Sequence, residues 1–460
     1  MKWMLTQLSI ENFKAWRKTG AIRLAPITVF FGSNSAGKTS LLQFLLMLRQ
    51  SSESSDRKRV FHPGDENTDV DLGTYQDFVH KHDPKSQVQF SLNWTLPKQM
   101  EVTDLLTSTK YAGASMAFEA IISSSDEATR QNIESLTYTL GKLDHDGLDV
   151  SMARQPSGKY RITTGKYKLS RNQGRAWPLP EPLRFYGFPE EVQAYYQNAG
   201  FTSDLVLSLE QQLRRIKYLG PLRQRPKRSY TWSGEAPDGV GFDGRNTIPA
   251  ILASGGRTIM PGFKKKSSPF LGIVARWLKQ LGLLENFDAK SLAMASKQYE
   301  ILVEATGTGV KTNLPDVGFG VSQVLPVIVE SFYASPDSTI VIEQPELHLH
   351  PRVQAFLADL FVEAIHAREN GRDRNVQFLI ESHSEHFIYR LQRLIAEEVV
   401  EPSEVALYFC HSGLDGSVID ELKLDDAGDI VNWPENFFGN EMEDVRARLE
   451  AAAGKADKHS

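Results

Sequence analysis

Phe31-Gly32-Ser33-Asn34-Ser35-Ala36-Gly37-Lys38-Thr39-Ser40 is the stretch on which the fold turns. It fits the pattern G-x-x-x-x-G-K-[ST] through Gly32, Gly37, Lys38 and Thr39. Such a loop curls its backbone so that the N–H groups from Asn34, Ser35 and Ala36 through Gly37 to Ser40 face phosphate oxygens. Lys38 adds a point charge for the β- and γ-phosphates, and the Thr39 hydroxyl is a ligand for Mg²⁺. The flanks supply the context the motif needs. Ile27–Phe31 is a β-branched and aromatic run that predicts a strand, and Thr39–Arg49 carries apolar residues at helical spacing. A helix starting there turns its positive end toward the anion. The stretch predicts a nucleoside triphosphate site.

Three later segments belong with it. Ser338–Ile342 predicts a short strand running into Glu343-Gln344-Pro345-Glu346. An apolar strand that ends in an acidic residue is how phosphate-loop proteins hold Mg²⁺, so Glu343 is the candidate metal residue. A further strand, Val376–Ile380, leads into Glu381-Ser382-His383-Ser384 and places His383 to sense a γ-phosphate. Ahead of both, Asp316–Gln323 is a Gly-rich turn opening a helix over Val324–Phe332. It is an anion site without a lysine.

The bulk composition bounds the answer. The chain has 460 residues, 41% hydrophobic and 24% charged, enough for a large core. Length alone suggests about three domains. Its one cysteine, Cys410, lies in the apolar run Val405–Cys410. That predicts a buried thiol in a reducing compartment, with no disulfide framework and no cysteine-based metal site. Met1–Ile10 lacks the apolar core of a signal peptide, and no stretch approaches the roughly 18 apolar residues of a membrane span. A cytoplasmic protein without membrane association is expected. A net charge of −5 gives no general pull toward nucleic acid.

Taken together, the four segments resemble the ABC-type ATPase heads of the SMC, RecF and overcoming-lysogenization-defect group. Leu8–Lys14 looks like their first strand, and Pro345–Pro351 is similar to their PE-x-HLHP stretch. Within that group, Asp71–Phe78, Tyr218–Arg223 and Trp433–Phe438 look closest to the PtuA-type ATPase subunits of the Septu anti-phage system. The resemblance implies an α/β fold: a phosphate-loop core sheet, an antiparallel subdomain and a mixed α/β insertion. The head would lie in 1–84 and 311–425, the insertion in 85–310 and a tail in 426–460. It implies ATP and Mg²⁺ as cofactors, with Gln76 as a Q-loop metal contact. It also implies heads that sandwich ATP in a homo-oligomer, the signature residues Gly320, Ser322 and Gln323 meeting the partner's nucleotide. A separate HNH nuclease subunit would do any cleavage of nucleic acid.

Departures from the family pattern matter as much. Active heads end the acidic strand Asp-Glu, the second residue polarising the attacking water; here Glu343 and Gln344 stand there. A neutral amide accepts a proton poorly, which is the task of a general base. Glu346 is the nearest carboxylate, and the Pro345 turn is expected to aim it elsewhere. Laid on L-S-G-G-Q, the signature reads Phe319-Gly320-Val321-Ser322-Gln323, its serine two places late. The candidate catalytic residues are thus Gln344, Glu346 and His383.

Between the halves, Val88–Trp94, Ala117–Ser123, Tyr138–Lys142, Tyr160–Thr164 and Tyr167–Ser170 predict strands, and Asp204–Ile216 and Phe270–Leu284 helices. No heptad pattern is sustained, so no long coiled-coil arm is expected. Ser51–Arg59 and Arg223–Thr247 read as loops. In the second, Arg223, Arg225, Lys227 and Arg228 stand near Tyr230 and Trp232, a candidate DNA surface; Lys264–Lys266 is another basic run. Solvated loops balanced by acidic neighbours explain both equally well. After His383, Asp425, Asp426 and Asp429 crowd one loop, and a helical tail over Glu441–Ala453 follows. Two functions remain open: an ATP-controlled scaffold for a nuclease with slow or no hydrolysis, and a RecF- or SMC-like repair ATPase that hydrolyses ATP to clamp DNA.

Overall fold

A computed structural model describes residues 3–104, 106–124, 130–142, 146–174, 177–262, 265–291 and 297–434. Lys264, Glu435–Phe438 and the expected tail helix Glu441–Ala453 lie outside the described residues.

The phosphate-loop strand Ile27–Gly32 sits inside a six-stranded sheet. The strand order is Ile216–Leu219, Thr339–Glu343, Gln377–Glu381, Ile27–Gly32, Val405–Gly413, Gly416–Leu422. The first five are parallel and the last returns as a hairpin. Thr339–Glu343 and Gln377–Glu381 are buried at every position. Such unbroken apolar runs are the mark of a parallel sheet covered on both faces. Successive side chains leave on opposite faces. Phe30, Val341 and Leu379 join one core with helices Lys38–Glu53 and Phe201–Arg214, whereas Val29, Phe31, Ile340, Ile342 and Phe378 join another with Phe319–Tyr333, Pro351–Ile365 and Glu385–Ala396.

The first core also covers an eight-stranded antiparallel sheet built from Met4–Phe13, Trp16–Lys18, Ile22–Arg23, Val88–Thr103, Lys110–Ser124, Gln131–Leu140, Leu148–Arg154 and Tyr160–Thr164. Its strands alternate buried and open positions, the pattern of a sheet with one packed face. The predicted class therefore holds: an ABC-head-like α/β core sheet with an antiparallel subdomain. The longest helix among the described residues, Lys38–Glu53, has 16 residues, so no coiled-coil arm occurs among them. None of the described helices is long and apolar enough to cross a membrane.

Two expectations are corrected. Ile216, expected as the last residue of a helix over Asp204–Ile216, instead opens Ile216–Leu219, an edge strand of the core sheet that pairs with Thr339–Ile342. The helix stops at Arg214 because Ile216, Tyr218 and their neighbours find ladder partners. Ile216–Leu219 lies within the stretch 85–310 and pairs into the core sheet. Tyr167–Ser170 forms no strand: Tyr167 packs into the first core, and its hydroxyl donates to the Asn198 carbonyl.

The helix Phe319–Tyr333 holds a buried acid, Glu330, that accepts from the Val240 amide and leaves its other oxygen unpaired. Burial pushes its pKa up to about 7 against the opposing pull of Lys217 and Arg374; Asp238 adds to the rise. A carboxyl raised on folding stabilises fully below its unfolded value of 4.5 and loses that contribution as pH climbs through 7. Glu330→Gln is expected to gain stability relative to wild type over that interval, on the order of 3 kcal/mol. Thermal unfolding from pH 5 to pH 8 checks this; a gap in Tm that stays constant with pH refutes it.

Candidate nucleotide site

The loop after Ile27–Gly32 is shaped by close approach. Gly32 has φ 137°, and a Cβ there would lie 1.9 Å from the Cys410 carbonyl oxygen, inside the neighbouring strand's backbone. Ser35 adopts φ 63° and Gly37, capping the helix, φ 86°. The Trp16 indole donates to the Gly37 carbonyl at 3.0 Å and braces the bend. Asn34 and Ser35 face solvent while Ala36 is buried beneath them. Lys38 is folded back over the loop, its Nζ donating to the carbonyls of Gly32 at 2.9 Å and Ser33 at 2.7 Å. Burial lowers its pKa, opposed chiefly by the Glu381 charge. Ser40 lies in the first helical turn, its N–H on the Gly37 carbonyl.

Three carboxyls converge opposite Lys38. Glu343 and Glu381 end adjacent parallel strands in register. The Thr39 hydroxyl donates to Glu381 Oε2 at 2.8 Å, and the Tyr218 hydroxyl to Glu343 Oε1 at 2.9 Å. Burial, then repulsion by Glu381, pushes Glu343 up to about 7. Burial also raises Glu381, against the Thr39 hydrogen bond and the Lys38 charge.

Glu346 is not aimed away, as the proline turn suggested. Gln344 takes φ 44°, a backbone conformation uncommon for a non-glycine residue. The following turn brings Glu346 back inward, where its Oε1 accepts from the His383 amide at 2.6 Å. Its Oε2 is buried without a partner, and burial raises its pKa. Gln344 donates through its own amide to the Glu381 carbonyl at 2.8 Å, and its half-exposed side chain has no hydrogen-bond partner among the described residues. His383 is exposed, and desolvation, then the Lys38 charge, keeps its imidazole below the ordinary range.

The signature segment is arranged differently from expectation. The helix begins at Phe319, so Ser322 lies one turn inside it. Its buried hydroxyl returns to the Phe319 carbonyl at 2.6 Å, and Gln323 is buried behind it, 3.4 Å from that hydroxyl. The helix presents Gly318, Phe319 and Gly320 at its start, Gly320 packing beside His348 and Leu349. Gln76 sits exposed on the four-residue helix Tyr75–Phe78, sealed by a Thr74–Asp77 capping box. It faces a cleft with Lys58, Arg59 and Arg130 that none of the phosphate-loop residues lines.

The basic loop divides. Arg225 and Lys227 are exposed, and Arg228 is held bidentately by Asp316. Arg223 is only 7% exposed and grips the end of the acidic strand, its Nη2 donating to the Glu343 carbonyl at 3.0 Å. It is removed from the candidate DNA surface. Sequence reasoning missed Glu381, Tyr218 and Lys14, whose charge also acts on Glu343. Glu381 carried a usable signal: it ends the apolar run that leads into His383.

The residues suit Mg²⁺. Among the described residues no group of three or more His, Cys, Asp or Glu side chains could hold a metal. Mg²⁺ needs fewer, taking one or two carboxylates, water and the nucleotide's own oxygens. Thr39, Glu343 and Glu381 supply such a set, the two carboxylates ending adjacent strands in register and Thr39 bonded to one of them.

A family model described as "AAA ATPase domain" matches residues 4–143 and 258–388, more than half of the chain. A second, "Protein of unknown function (DUF3696)", matches 400–447. No curated protein matches the sequence. The chain is similar to three solved structures, each over 92% of its length. They are an SMC head domain from Thermotoga maritima (10% identity, 99% of that chain, TM-score 0.38) and an SmcHead bound to the C-winged helix domain of ScpA (11%, 99%, 0.40). The third is an Smc head with an extended coiled coil, bound to the C-terminal domain of ScpA derived from Pyrococcus furiosus (9%, 98%, 0.38).

Proposed function

The chain belongs to the AAA ATPase domain family, and on that basis we propose that it is an ATP- and Mg²⁺-binding subunit whose bound nucleotide controls assembly. The observation that carries the reading is Lys38 turned onto its own loop carbonyls, beside Thr39 on Glu381. Both side chains are spent on contacts that a triphosphate and its metal would replace. Lys38 would exchange carbonyl oxygens for the β- and γ-phosphates; Thr39, Glu343 and Glu381 would hold Mg²⁺, which screens phosphate charge.

Assembly would run through ATP-sandwiched heads. The exposed start of the Phe319–Tyr333 helix offers amides and a positive dipole that need a phosphate from another subunit. Leu222 and Phe319, 81% and 47% exposed, stand in solvent on segments bordering the acidic strand and suit a covered face. In this reading the assembled chain scaffolds and regulates a separate HNH-type nuclease in anti-phage defence, and hydrolysis is slow because Gln344 is no base. The nuclease rests on the resemblance of Asp71–Phe78 and Tyr218–Arg223 to Septu ATPase subunits. A repair ATPase that clamps DNA is the second reading, favoured by the buried Glu346 Oε2, which has no hydrogen-bond partner among the described residues.

Light scattering at micromolar protein tests assembly. The expected result is a rise in mass on adding Mg²⁺-ATP that Lys38→Ala abolishes. A mass unchanged by nucleotide would refute ATP-sandwiched heads.

A further inference from the structure

We infer that the strap Tyr218–Arg223 positions the cation-holding end of the acidic strand, with Tyr218 and Arg223 acting through Glu343 and Gln344 rather than on nucleotide. The inference rests on the reading of Glu343 as a Mg²⁺ ligand.

Two independent grips point there. At the strap's start, the Tyr218 hydroxyl donates to Glu343 Oε1 at 2.9 Å, leaving the other carboxylate oxygen for a cation. At its end, Arg223 spreads its guanidinium over the backbone just beyond. Nη2 reaches the Glu343 carbonyl at 3.0 Å, and both terminal nitrogens lie 3.4 Å from the Gln344 carbonyl. The strap thus holds both the side chain and the main chain of one strand terminus. That terminus includes Gln344 in its left-handed conformation, which local preference does not maintain.

The strap is itself anchored. Tyr218 is held in the edge strand paired to Thr339–Ile342. The Gly220 amide donates to the Phe242 carbonyl at 2.7 Å, and the Gln224 amide to the Asp243 carbonyl at 2.8 Å. A Cβ at Gly220 would lie 3.0 Å from the Tyr218 hydroxyl oxygen and 3.1 Å from the Phe242 carbonyl, so a side chain there would press on both. Arg223 is buried with its Nε unpartnered, a costly placement for a group that only decorated a loop. A planar fork spanning two carbonyls is a use of arginine that lysine does not reproduce.

Residues that orient a metal-binding carboxylate typically change metal affinity about 10- to 100-fold when removed. The experiment is a Mg²⁺ titration of full-length protein with a fluorescent ATP analogue, with an EDTA arm for metal-free binding. Tyr218→Phe keeps the ring and its packing. It is expected to bind the analogue like wild type in EDTA, yet to need roughly 10- to 100-fold more Mg²⁺ for half-saturation. Arg223→Lys keeps the charge without the fork and is expected to show a loss in the same direction, with metal-free binding retained. Wild-type Mg²⁺ half-saturation in Tyr218→Phe, or full rescue by lysine at 223, would overturn the proposal. Wild-type protein that binds no analogue in either arm would overturn the nucleotide reading itself, a distinguishable failure.

Discussion

Replacing Lys38 by alanine is expected to abolish ATP binding at working concentrations, a loss of a hundredfold or more. The remainder of the cradle is made of backbone N–H groups and a helix terminus, partial charges that orient a phosphate without neutralising it. Lys38 is the cation the loop carries, and its ammonium already sits at the loop mouth, donating to Gly32 and Ser33. Charge-assisted hydrogen bonds contribute about 1.5–3 kcal/mol each, so losing two costs about 3 kcal/mol or more, at 1.4 kcal/mol per tenfold. The site would also turn hostile to an anion, because Glu346 and Glu381 would remain without the ammonium that faces them. Equilibrium binding of a fluorescent ATP analogue measures the effect, and thermal unfolding separates it from misfolding. Affinity unchanged in a folded variant would end the phosphate-loop assignment.

What could be read from the chain, and what could not, divides by range of interaction. The phosphate loop, the acidic strand and the His383 strand were legible because each is a contiguous pattern whose backbone chemistry is local. All three fall at one end of the core sheet. The contacts among them are not local. Thr39 meets Glu381 across 342 positions, through a strand order that seats Gln377–Glu381 between the phosphate-loop strand and the acidic strand. No spacing rule announces that order. Arg223 looked like one more charge in a basic run; it follows the edge strand Ile216–Leu219, which no spacing in the sequence marked as part of the core sheet. Ser322 was misplaced for a smaller reason: the helix starts five residues before the apolar run at Val324, so the serine turns inward. Glu346 was misjudged from Pro345 alone, without the left-handed Gln344 that reverses the chain ahead of it.

Turnover is where the departure at Gln344 should be felt most. Wild-type protein is expected to release phosphate slowly and Gln344→Glu much faster, by about a hundred- to ten-thousand-fold if the new carboxylate supplies general-base assistance. The Gln344 side chain is half-buried at the acidic end of the sheet with no hydrogen-bond partner among the described residues, so a glutamate there breaks no hydrogen bond among them. Its charge would stand next in sequence to Glu343 and near Glu381 and Glu346, and like charges raise one another's pKa toward the range a base needs. Glu346 is the rival. It is buried, its pKa is raised, and one oxygen is free. Its other oxygen, though, is committed to the His383 amide at 2.6 Å, which makes it a holder of the His383 loop before it is a base. Steady-state phosphate release, with and without DNA, by wild type, Gln344→Glu and Glu346→Gln separates the two. Slow wild-type release accelerated at 344 supports bound ATP as a long-lived marker of state. Brisk wild-type release lost in Glu346→Gln would make Glu346 the base and favour the DNA-clamping reading.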